Sequence, residues 1–350
     1  MYGIMTPNAS VMENVKVTVV TVVYGSRWPL LRQVADACLQ DSRYTTFIIV
    51  DNGCADAAAM DAYAASYGER IVILRQEKNI GYSGAISQGL TRARETDCNY
   101  VFVLDDDSVP EVGAIDHFLK NLAMFGDDQK VILVGNRVDV PGNKDIFTAR
   151  PLHDAPPRGT LFEVFSFRKL INAVKLVLRI EPRADHPFIP IVPTEAFVTG
   201  GTFLPIEVVR TVDVPDASMF IYGEDLDYSW RIRRLGYQSY ACSRPIIRDL
   251  DMTFPEYGDH IFGLFNPKTP AYKVYYRMRN AVRISLRHSD QSSFVLALNV
   301  SVWFLGLCII GLIKWGLTAD YFKRAKLVAT ALYTGFVPTT PVPADVVTPK

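Results

Sequence analysis

Apolar runs and helix-like segments alternate along the first half of the chain. Nearly continuous runs rich in valine and isoleucine are typical of strands buried on both faces of a sheet. They predict strands at residues 17–24, 47–50, 71–74 and 100–104. The segments between them have the composition or periodicity of helices, at residues 30–39, 57–67 and 79–94. The pattern therefore predicts an α/β fold with a doubly wound, mostly parallel, Rossmann-like sheet.

Polar side chains lie at the ends of three of these predicted strands. Tyr24 ends the first, Asp51 follows the second, and Asp105 to Asp107 end the fourth. Ligands of doubly wound sheets bind at the carboxyl ends of the strands, so we expect these residues along one edge. Mg²⁺ or Mn²⁺ would relieve the repulsion among the aspartates and often shares its oxygen ligands with phosphates. The pattern favours a metal site for a nucleoside diphosphate, and a solvated acidic turn or helix start is the alternative.

Other features of the same edge concern the nucleotide. Asp51 could accept hydrogen bonds from a base or ribose, although residues 51–53 also fit an ordinary turn. Gly81 and Gly84 open a predicted helix and permit either close approach of a ligand or close packing of the helix. Neither a G-x-G-x-x-G motif after the first strand nor a Walker A motif is present. A dinucleotide oxidoreductase is therefore disfavoured, and a sugar nucleotide bound through a base pocket and a metal is favoured.

Composition narrows the class of protein further. The 350 residues carry 37 basic and 37 acidic side chains, a balance that argues against a nucleic-acid partner. Five cysteines without a CxxC pair disfavour a disulfide framework or a zinc site and suggest a reducing compartment. The first 14 residues lack the pattern of a secretory signal, so we expect cytoplasmic residence.

Several motifs occur in a recognisable order: residues 17–24, 50–53, 79–84, 104–108, 200–203 and 222–228. This order resembles that of family 2 glycosyltransferases of the GT-A fold, in particular the bacterial rhamnosyltransferase and galactofuranosyltransferase branch, over residues 14–280. The resemblance implies an inverting transferase that depends on Mn²⁺ or Mg²⁺. It implies that Asp107 of the DxD-type motif binds the metal and that Asp105 lies near the ribose or the metal. It also implies a donor-binding set, which consists of Thr21, Tyr24, Asp51, Gly81, Tyr82, Ser83, Asp105, Asp106 and Arg279.

A second acidic pair, Glu224 and Asp225, opens a predicted helix over residues 224–235. Inversion at an anomeric carbon needs a carboxylate that deprotonates the incoming hydroxyl. Acidic residues in the first helical turn are also favoured by the helix dipole, so simple capping is the alternative. The resemblance implies that Asp225 is the catalytic base, and Glu224 could orient the acceptor hydroxyl. Asp227 is expected to pair with nearby arginines.

Two further details concern this site. Relatives often carry a histidine as an additional metal ligand after the next strand, where this chain has Asp249. A carboxylate suits Mg²⁺ or Mn²⁺ as well as imidazole does, so Asp249 is the predicted third ligand and His260 a weaker candidate. Arg279 belongs to a Tyr-Tyr-x-x-Arg-Asn element that the same branch shares. It could contact the donor diphosphate, or its helix could simply pack on the sheet.

An uncharged stretch of twenty residues at 294–313, flanked by basic residues, raises the question of a membrane. Its length permits a span, but an interfacial helix is equally consistent with its polar residues and glycines. Residues 161–179 form a second, basic amphipathic candidate, or else a lid helix. We expect peripheral attachment to the inner face of the plasma membrane, through an anionic membrane surface.

These features predict a domain organisation. The glycosyltransferase domain covers residues 14–260, with an insertion or lid at 139–193 and a strand at 196–204. A helical region follows at 261–335, with its membrane-associating segment at 294–317. The proline-rich tail at 338–350 is expected to be disordered.

The predicted function is transfer of a sugar from a nucleoside-diphosphate donor to a hydroxyl of a lipid-linked cell-surface glycan. UDP-galactofuranose, dTDP-rhamnose and a UDP-hexose all fit the resemblance, the acceptor is a glycan or glycolipid, and a homo-oligomer is possible. The alternative is a catalytically silent, nucleotide-sugar-binding scaffold subunit. A sugar-nucleotide pyrophosphorylase is disfavoured because residues 24–29 lack the glycine-rich, cationic loop that it needs.

Overall fold

The structure is a computed structural model. It describes residues 13–126, 130–139, 146–147, 188–251, 261–289, 291–343 and 346, with residues 261 and 262 described as backbone only. Most of the predicted insertion at 139–193, the amphipathic stretch at 161–179 and His260 lie outside these residues.

The described residues form nine strands and nine α-helices. The strands are β1 (Val17–Gly25), β2 (Tyr44–Cys54), β3 (Ile71–Arg75), β4 (Tyr100–Val103), β5 (Ser108–Pro110), β6 (Val131–Arg137), β7 (Ile191–Thr194), β8 (Thr202–Pro205) and β9 (Gln238–Asp249). The helices are α1 (Trp28–Leu39), α2 (Ala57–Tyr67), α3 (Gly81–Ala93), α4 (Ala114–Ala123), α5 (Ile206–Thr211), α6 (Glu224–Arg234), α7 (Ala271–His288), α8 (Ser293–Trp315) and α9 (Ala319–Phe336).

All nine strands belong to one sheet, in the order β3-β2-β1-β4-β8-β6-β9-β5, with β7 paired to β9. The first four strands are parallel, as predicted. Beyond β4 the sheet is mixed, because β8 runs antiparallel to both β4 and β6, and β9 pairs in parallel only with β6. The predicted mostly parallel sheet is therefore correct for its first half only.

Helices cover both faces of the sheet, which confirms the doubly wound α/β fold. Alternate residues of β1 enter opposite cores: Val19 packs with α1, α2 and α4 on one face, and Val20 packs with α3, α5 and α6 on the other. Because both faces of β1 are covered, its β-branched residues are buried on either side. Its carboxyl end is thereby fixed in place.

The C-terminal helices form a separate apolar cluster beside the sheet. Val274 and Val282 of α7, Trp303 of α8 and Val328 of α9 are buried in it. Val346 is buried in the same cluster, and the predicted disorder of residues 338–350 stays a prediction.

The predicted strand at 196–204 is shorter than expected. Only Thr202–Pro205 is a strand, because residues 195–201 turn through Gly200 and Gly201, and the φ of Gly201 is +89°. This turn brings Gly200 against Asp105, as described below.

Candidate active site

The three aspartates lie in the turn that joins β4 to β5, at the carboxyl end of the parallel strands. β4 pairs in parallel with β1, so this turn lies beside the end of β1 and the start of α1. β5 pairs with β9 in a register that places Ser108 opposite Asp249. The hydroxyl of Ser108 donates a hydrogen bond to Asp249 at 2.8 Å. The sheet therefore brings Asp249 to the aspartate turn, as the sequence predicts for a third ligand.

Arg27 lies between β1 and α1 and binds three carboxylates of this edge. Its guanidinium donates to Asp106 at 2.8 Å, to Asp107 at 2.7 Å and to Asp251 at 2.8 Å. The same guanidinium lies 5.9 Å from the ring centroid of Tyr24, whose side chain is 46 % exposed. Arg27 thus connects the predicted base-binding tyrosine to the aspartates.

A second arginine, Arg137, ends β6 and bridges two of the predicted metal ligands. It donates to Asp105 at 2.7 Å and to Asp249 at 2.7 Å. Burial opposes the charge of this guanidinium, but the two carboxylates outweigh burial and hold its pKa above its ordinary value. Together, the two arginines bind five carboxylates, which we call the acidic edge: Asp105, Asp106, Asp107, Asp249 and Asp251.

Burial and mutual repulsion still disfavour the ionised carboxylates of the acidic edge, despite these two arginines. Burial raises the pKa of Asp106 to about 7, against the effect of its Arg27 partner. Burial, followed by repulsion from Asp105, raises the pKa of Asp107, and Asp249 adds to this repulsion. A further cation at this edge would stabilise the ionised carboxylates.

We tested whether these residues fit a divalent ion. Their oxygen donors are the type that Mn²⁺ and Mg²⁺ prefer, and Asp105, Asp107 and Asp249 lie close enough to interact. Within the described ranges, no three His, Cys, Asp or Glu side chains are already arranged around one ion position. Mg²⁺ commonly uses one or two carboxylates together with substrate phosphates and water, so a preformed cage is not required. The acidic edge therefore fits a divalent ion that arrives with a diphosphate.

The opposite side of Asp105 contacts the turn before β8 and the start of α3. A Cβ atom at Gly200 would lie 2.4 Å from Asp105 Oδ2, so only glycine allows this approach. The hydroxyl of Tyr82 lies 3.0 Å from that of Thr199 and 3.5 Å from Asp105 Oδ1. Burial raises the pKa of Tyr82 well above its ordinary value, and the charges of Asp105, Glu224 and Asp225 add to this effect.

Glu224 and Asp225 start α6 beside the acidic edge. Glu224 is 6 % exposed, and its Oε2 atom has no hydrogen-bond partner among the described residues. Burial, with the Asp225 charge second, raises the pKa of Glu224 to about 8. Burial also raises the pKa of Asp225 to about 6, and the charge of Asp105 contributes. Burial therefore favours a proton on this pair, and Asp225, which has the lower pKa, is the member that suits the role of base.

Asp227, two residues further along α6, anchors the helix to α7. It is 1 % exposed, accepts from Arg231 at 2.9 Å, lies 2.9 Å from His288 Nε2 and pairs with Arg287. Burial alone would raise its pKa, but His288 and the arginines lower it to about 2. This confirms the prediction that Asp227 is a partner of nearby arginines.

The loop that precedes α6 has an unusual backbone. Phe220 and Tyr222 have positive φ values of 62° and 68°, which non-glycine residues seldom adopt. The amide of Asn280, on α7, donates to the carbonyls of Met219, Ile221 and Tyr222 at 2.8, 2.9 and 2.7 Å. Asn280 therefore holds the loop that positions the carboxylate pair.

Arg279, a predicted donor-binding residue, lies next to this loop. It is 3 % exposed, donates to the carbonyl of Ser218, and lies 4.5 Å from the ring centroid of Tyr276. Burial and the nearby Arg283 lower its pKa. Its contacts in this structure are those of a packing residue, and its contact with a donor stays a prediction.

Other predicted donor-binding residues lie behind the acidic edge. Asp51 is 2 % exposed and already accepts from Arg75 at 2.8 Å and from the Cys54 amide at 2.7 Å. Thr21 is fully buried within β1. The Ser83 hydroxyl donates to the carbonyl of Asp216 at 2.6 Å. Their direct contact with a nucleotide also stays a prediction.

Gly81, the remaining predicted donor-binding residue, fixes the distance between α3 and the loop before α6. Its φ is +81°, and a Cβ atom there would lie 2.4 Å from the carbonyl oxygen of Phe220. The Ser83 amide donates to the same oxygen at 3.0 Å. The glycine therefore permits packing of the loop, which is one of the two roles that the sequence left open.

The sequence did not identify the two arginines of the site. Arg27 is the second residue after the end of β1, and Arg137 is the last residue of β6. Their positions near the ends of strands could have indicated that they belong to the site. The sequence does not show, however, which carboxylates an arginine at such a position binds.

Comparison with known proteins gives an independent view of this site. Residues 18–177 match the family model described as "Glycosyl transferase family 2". No significant match was found among curated proteins.

Two solved structures share the fold over most of this chain. GalNAc-T7, solved with UDP, GalNAc and Mn²⁺, has a TM-score of 0.55 at 12 % identity, over 93 % of this chain and 56 % of the other. The mannosyltransferase PcManGT of Pyrobaculum calidifontis, in complex with GDP-Man and Mn²⁺, has a TM-score of 0.52 at 10 % identity, over 94 % and 89 %. This chain thus spans little more than half of the GalNAc-T7 chain. The family match covers slightly less than half of this chain, and the two solved structures show that the chain has a GT-A-like fold.

Proposed function

We propose that this protein is an inverting glycosyltransferase that uses a nucleoside-diphosphate sugar and a divalent metal. One observation carries the proposal: in a chain whose residues 18–177 match the family 2 model, the buried Glu224 and the half-buried Asp225 lie beside the acidic edge. An acceptor base next to a diphosphate site is the arrangement that a single displacement at an anomeric carbon requires.

The donor is a nucleoside-diphosphate sugar. In support, GalNAc-T7 was solved with UDP and PcManGT with GDP-Man, each with Mn²⁺. The proposed donors for this chain are UDP-galactofuranose, dTDP-rhamnose and a UDP-hexose. They follow from its resemblance to the rhamnosyltransferase and galactofuranosyltransferase branch. Tyr24 and Asp51 are the proposed base-binding residues.

The acidic edge would hold the metal and the diphosphate. Asp105 and Asp107 are the proposed metal ligands, with Asp249 as a third. When bound, the ion would stabilise the negative charge that develops on the departing diphosphate. Arg27 and Arg137, released from these carboxylates, lie where they can bind phosphate oxygens, since guanidinium groups bind carboxylate and phosphate in the same geometry.

Asp225 acts on the acceptor. It takes the proton of the acceptor hydroxyl as the hydroxyl oxygen forms its bond to the anomeric carbon. The bond from that carbon to the diphosphate oxygen breaks, and the nucleoside diphosphate leaves with the electron pair. Because attack and departure occur on opposite faces, the anomeric configuration inverts. Glu224, whose pKa is raised by burial, can orient the acceptor hydroxyl through a hydrogen bond.

The acceptor is a hydroxyl of a lipid-linked cell-surface glycan, and the protein works at the cytoplasmic face of the plasma membrane. The apolar helix α8 supports this location, since it is long and apolar enough to meet a bilayer.

A donor panel tests the proposal. The full chain is screened by thermal shift against UDP-, dTDP- and GDP-sugars with Mn²⁺, and each stabilising donor is then assayed for release of its nucleoside diphosphate. We expect one donor to raise the melting temperature by mass action and to be hydrolysed slowly without an acceptor.

Asp105→Asn should abolish both effects. The control Asp97→Asn removes an exposed aspartate that precedes β4, at the amino ends of the parallel strands. It should leave both the thermal shift and the donor hydrolysis unchanged. Binding without turnover would favour the silent scaffold subunit, and no stabilising donor would contradict a sugar-nucleotide site.

A further inference from the structure

Helix α8 exposes an unusual concentration of apolar side chains. Of the 20 large hydrophobic residues exposed among the described residues, 11 lie between Phe294 and Phe322. Leu298, Val302, Leu305 and Ile309 follow one another at spacings of four, three and four, so they form a stripe along one face of the helix. We call this the outer stripe. A continuous stripe of this kind marks an interaction surface rather than scattered surface apolar residues.

The opposite face of α8 is packed along its whole length. Leu296, Val300, Trp303 and Leu307 are buried in the C-terminal cluster, and a Cβ atom at Gly311 would lie 2.9 Å from the ring of Phe265. This inner face packs with α7, with α9 and with residues 261–265.

Helix α7 in turn holds the loop before α6, through Asn280 and through Phe220 stacked on Tyr276 at 4.7 Å. If α8 spanned a membrane, α7 would therefore be drawn into the bilayer with it. Helix α7 carries four arginines from Arg277 to Arg287, and charged side chains are costly in the bilayer core.

The charges of the C-terminal segment that contains the outer stripe favour an anionic partner. Residues 291–343 contain four basic side chains and a single acidic one, Asp320, although the whole chain is neutral. Lys314, Lys323 and Lys326 are exposed. Exposed basic residues on the same pair of helices as an exposed apolar stripe are complementary to anionic lipid headgroups above an apolar core.

We propose that α8 lies in the plane of an anionic bilayer, with the outer stripe at the boundary between headgroups and acyl chains. The helix is about 34 Å long at 1.5 Å per residue, and its whole length would contact lipid. This deepens the proposed function, because it defines the surface that brings the acidic edge to a lipid-linked acceptor, and it argues against a transmembrane span.

Vesicle binding tests the proposal with the full chain. Flotation is measured with phosphatidylcholine vesicles and with vesicles that also contain phosphatidylglycerol. We expect binding that is stronger on the anionic vesicles. The double substitution Leu305→Glu and Ile309→Glu should lower the partition coefficient by at least about tenfold, since each residue loses its apolar burial.

The matched control substitutes two exposed apolar residues of the sheet domain, Val112→Glu and Met124→Glu, and should bind like the native chain. Native-like flotation of the Leu305→Glu and Ile309→Glu variant would overturn the proposal. So would a concentration-dependent dimer, seen by light scattering, that this variant abolishes while vesicle binding is absent.

Depth measurement separates an in-plane helix from a span. A fluorophore is attached in turn at Leu298, Leu305 and Ile313, and quenching by lipids labelled at known depths is compared. Equal shallow depths at the three sites are expected, whereas a much deeper Leu305 would indicate a span and contradict the proposal. Because donor hydrolysis needs no bilayer, these results are independent of the test of the enzymatic function.

Discussion

The guanidinium of Arg137 lies between Asp105 and Asp249, with a hydrogen bond of 2.7 Å to each. A cation of the protein itself thus neutralises two of the three proposed metal ligands in the absence of donor. Arg137 and a divalent ion would compete for the same carboxylate oxygens. Because of this competition, the acidic edge would bind a metal tightly only when a diphosphate is present. Arg137 would then bind the diphosphate and leave the carboxylates to the metal.

Replacing Arg137 should therefore strengthen metal binding. In Arg137→Gln the guanidinium no longer competes, and we expect Mn²⁺ affinity without donor to rise by roughly 5–150-fold, the usual range of a coupling between two sites. The melting temperature without metal should fall, because buried carboxylates lose their partner. Calorimetric titration with Mn²⁺ and a thermal melt measure the two effects.

The control for this variant is Arg43→Gln, which removes an arginine that bridges Asp41 and Asp116 at 2.7 and 2.6 Å, away from the site. It should lower stability without changing Mn²⁺ affinity. Unchanged or weaker Mn²⁺ binding in Arg137→Gln would show that Arg137 does not occupy the metal position.

Asp225→Asn should remove most of the transfer activity. The amide keeps the size of the side chain but does not accept the acceptor proton, so we expect kcat to fall by roughly 10²–10⁴-fold. The affinity for donor and metal should change little, since the lost interaction belongs to the transition state. Donor titration and steady-state transfer assays measure both quantities, and retained turnover would assign the base elsewhere.

The carboxylate pair predicts the pH dependence. Asp225 acts as a base only when ionised, and its pKa of about 6 means that activity is present above pH 6 and lost as the pH falls through that value. We expect this limb in the pH profile of kcat/KM. Glu224→Gln should keep the limb, because Glu224, with a pKa of about 8, is already protonated there. A profile that is flat between pH 5 and 7 would not agree with Asp225 as the base.

Asn280 should affect the catalytic rate without touching a substrate. In Asn280→Asp, an acceptor replaces the amide that donates to the carbonyls of Met219, Ile221 and Tyr222. We expect a loss of about 1–3 kcal/mol in the free energy of unfolding. A displaced α6 start should lower kcat by roughly 10²-fold, with a smaller change in donor affinity.

The control Asn121→Asp loses one hydrogen bond to the carbonyl of Arg244, far from the site. It should change kcat little. Equal losses of kcat in the two variants would mean that Asn280 is important for stability alone.

The sequence predicted the first half of the fold because strand and helix signals there are local. Continuous β-branched runs and an alanine-rich segment gave β1, β2, β3 and α1 to α3, and α2 has the predicted bounds of 57–67. The strand at 196–204 was overextended, since the approach of Gly200 to Asp105 depends on a tertiary contact. The antiparallel half of the sheet also depends on long-range pairing that periodicity does not encode.

In the candidate site, too, the positions that depend on local sequence were predicted and the contacts between distant segments were not. The carboxyl ends of parallel strands meet at one edge, so the position of Asp105 to Asp107 followed from topology. Asp249 was proposed through the family resemblance, and the antiparallel pairing of β5 with β9 places it opposite Ser108. Asp51 was harder to interpret, because its carboxylate already pairs with Arg75 on β3, a contact that the sequence does not reveal. The partners of Arg27 and Arg137 depend on side-chain geometry between distant segments.

The central claim is that the acidic edge binds a divalent ion together with a nucleoside diphosphate. A crystal structure of the protein with Mn²⁺ and UDP or dTDP, with anomalous diffraction from manganese, tests it most directly. We predict one manganese peak that contacts Asp105 or Asp107 and the diphosphate oxygens, with Arg137 turned from Asp105 toward a phosphate. A diphosphate bound elsewhere, or no manganese beside these aspartates, would contradict the account.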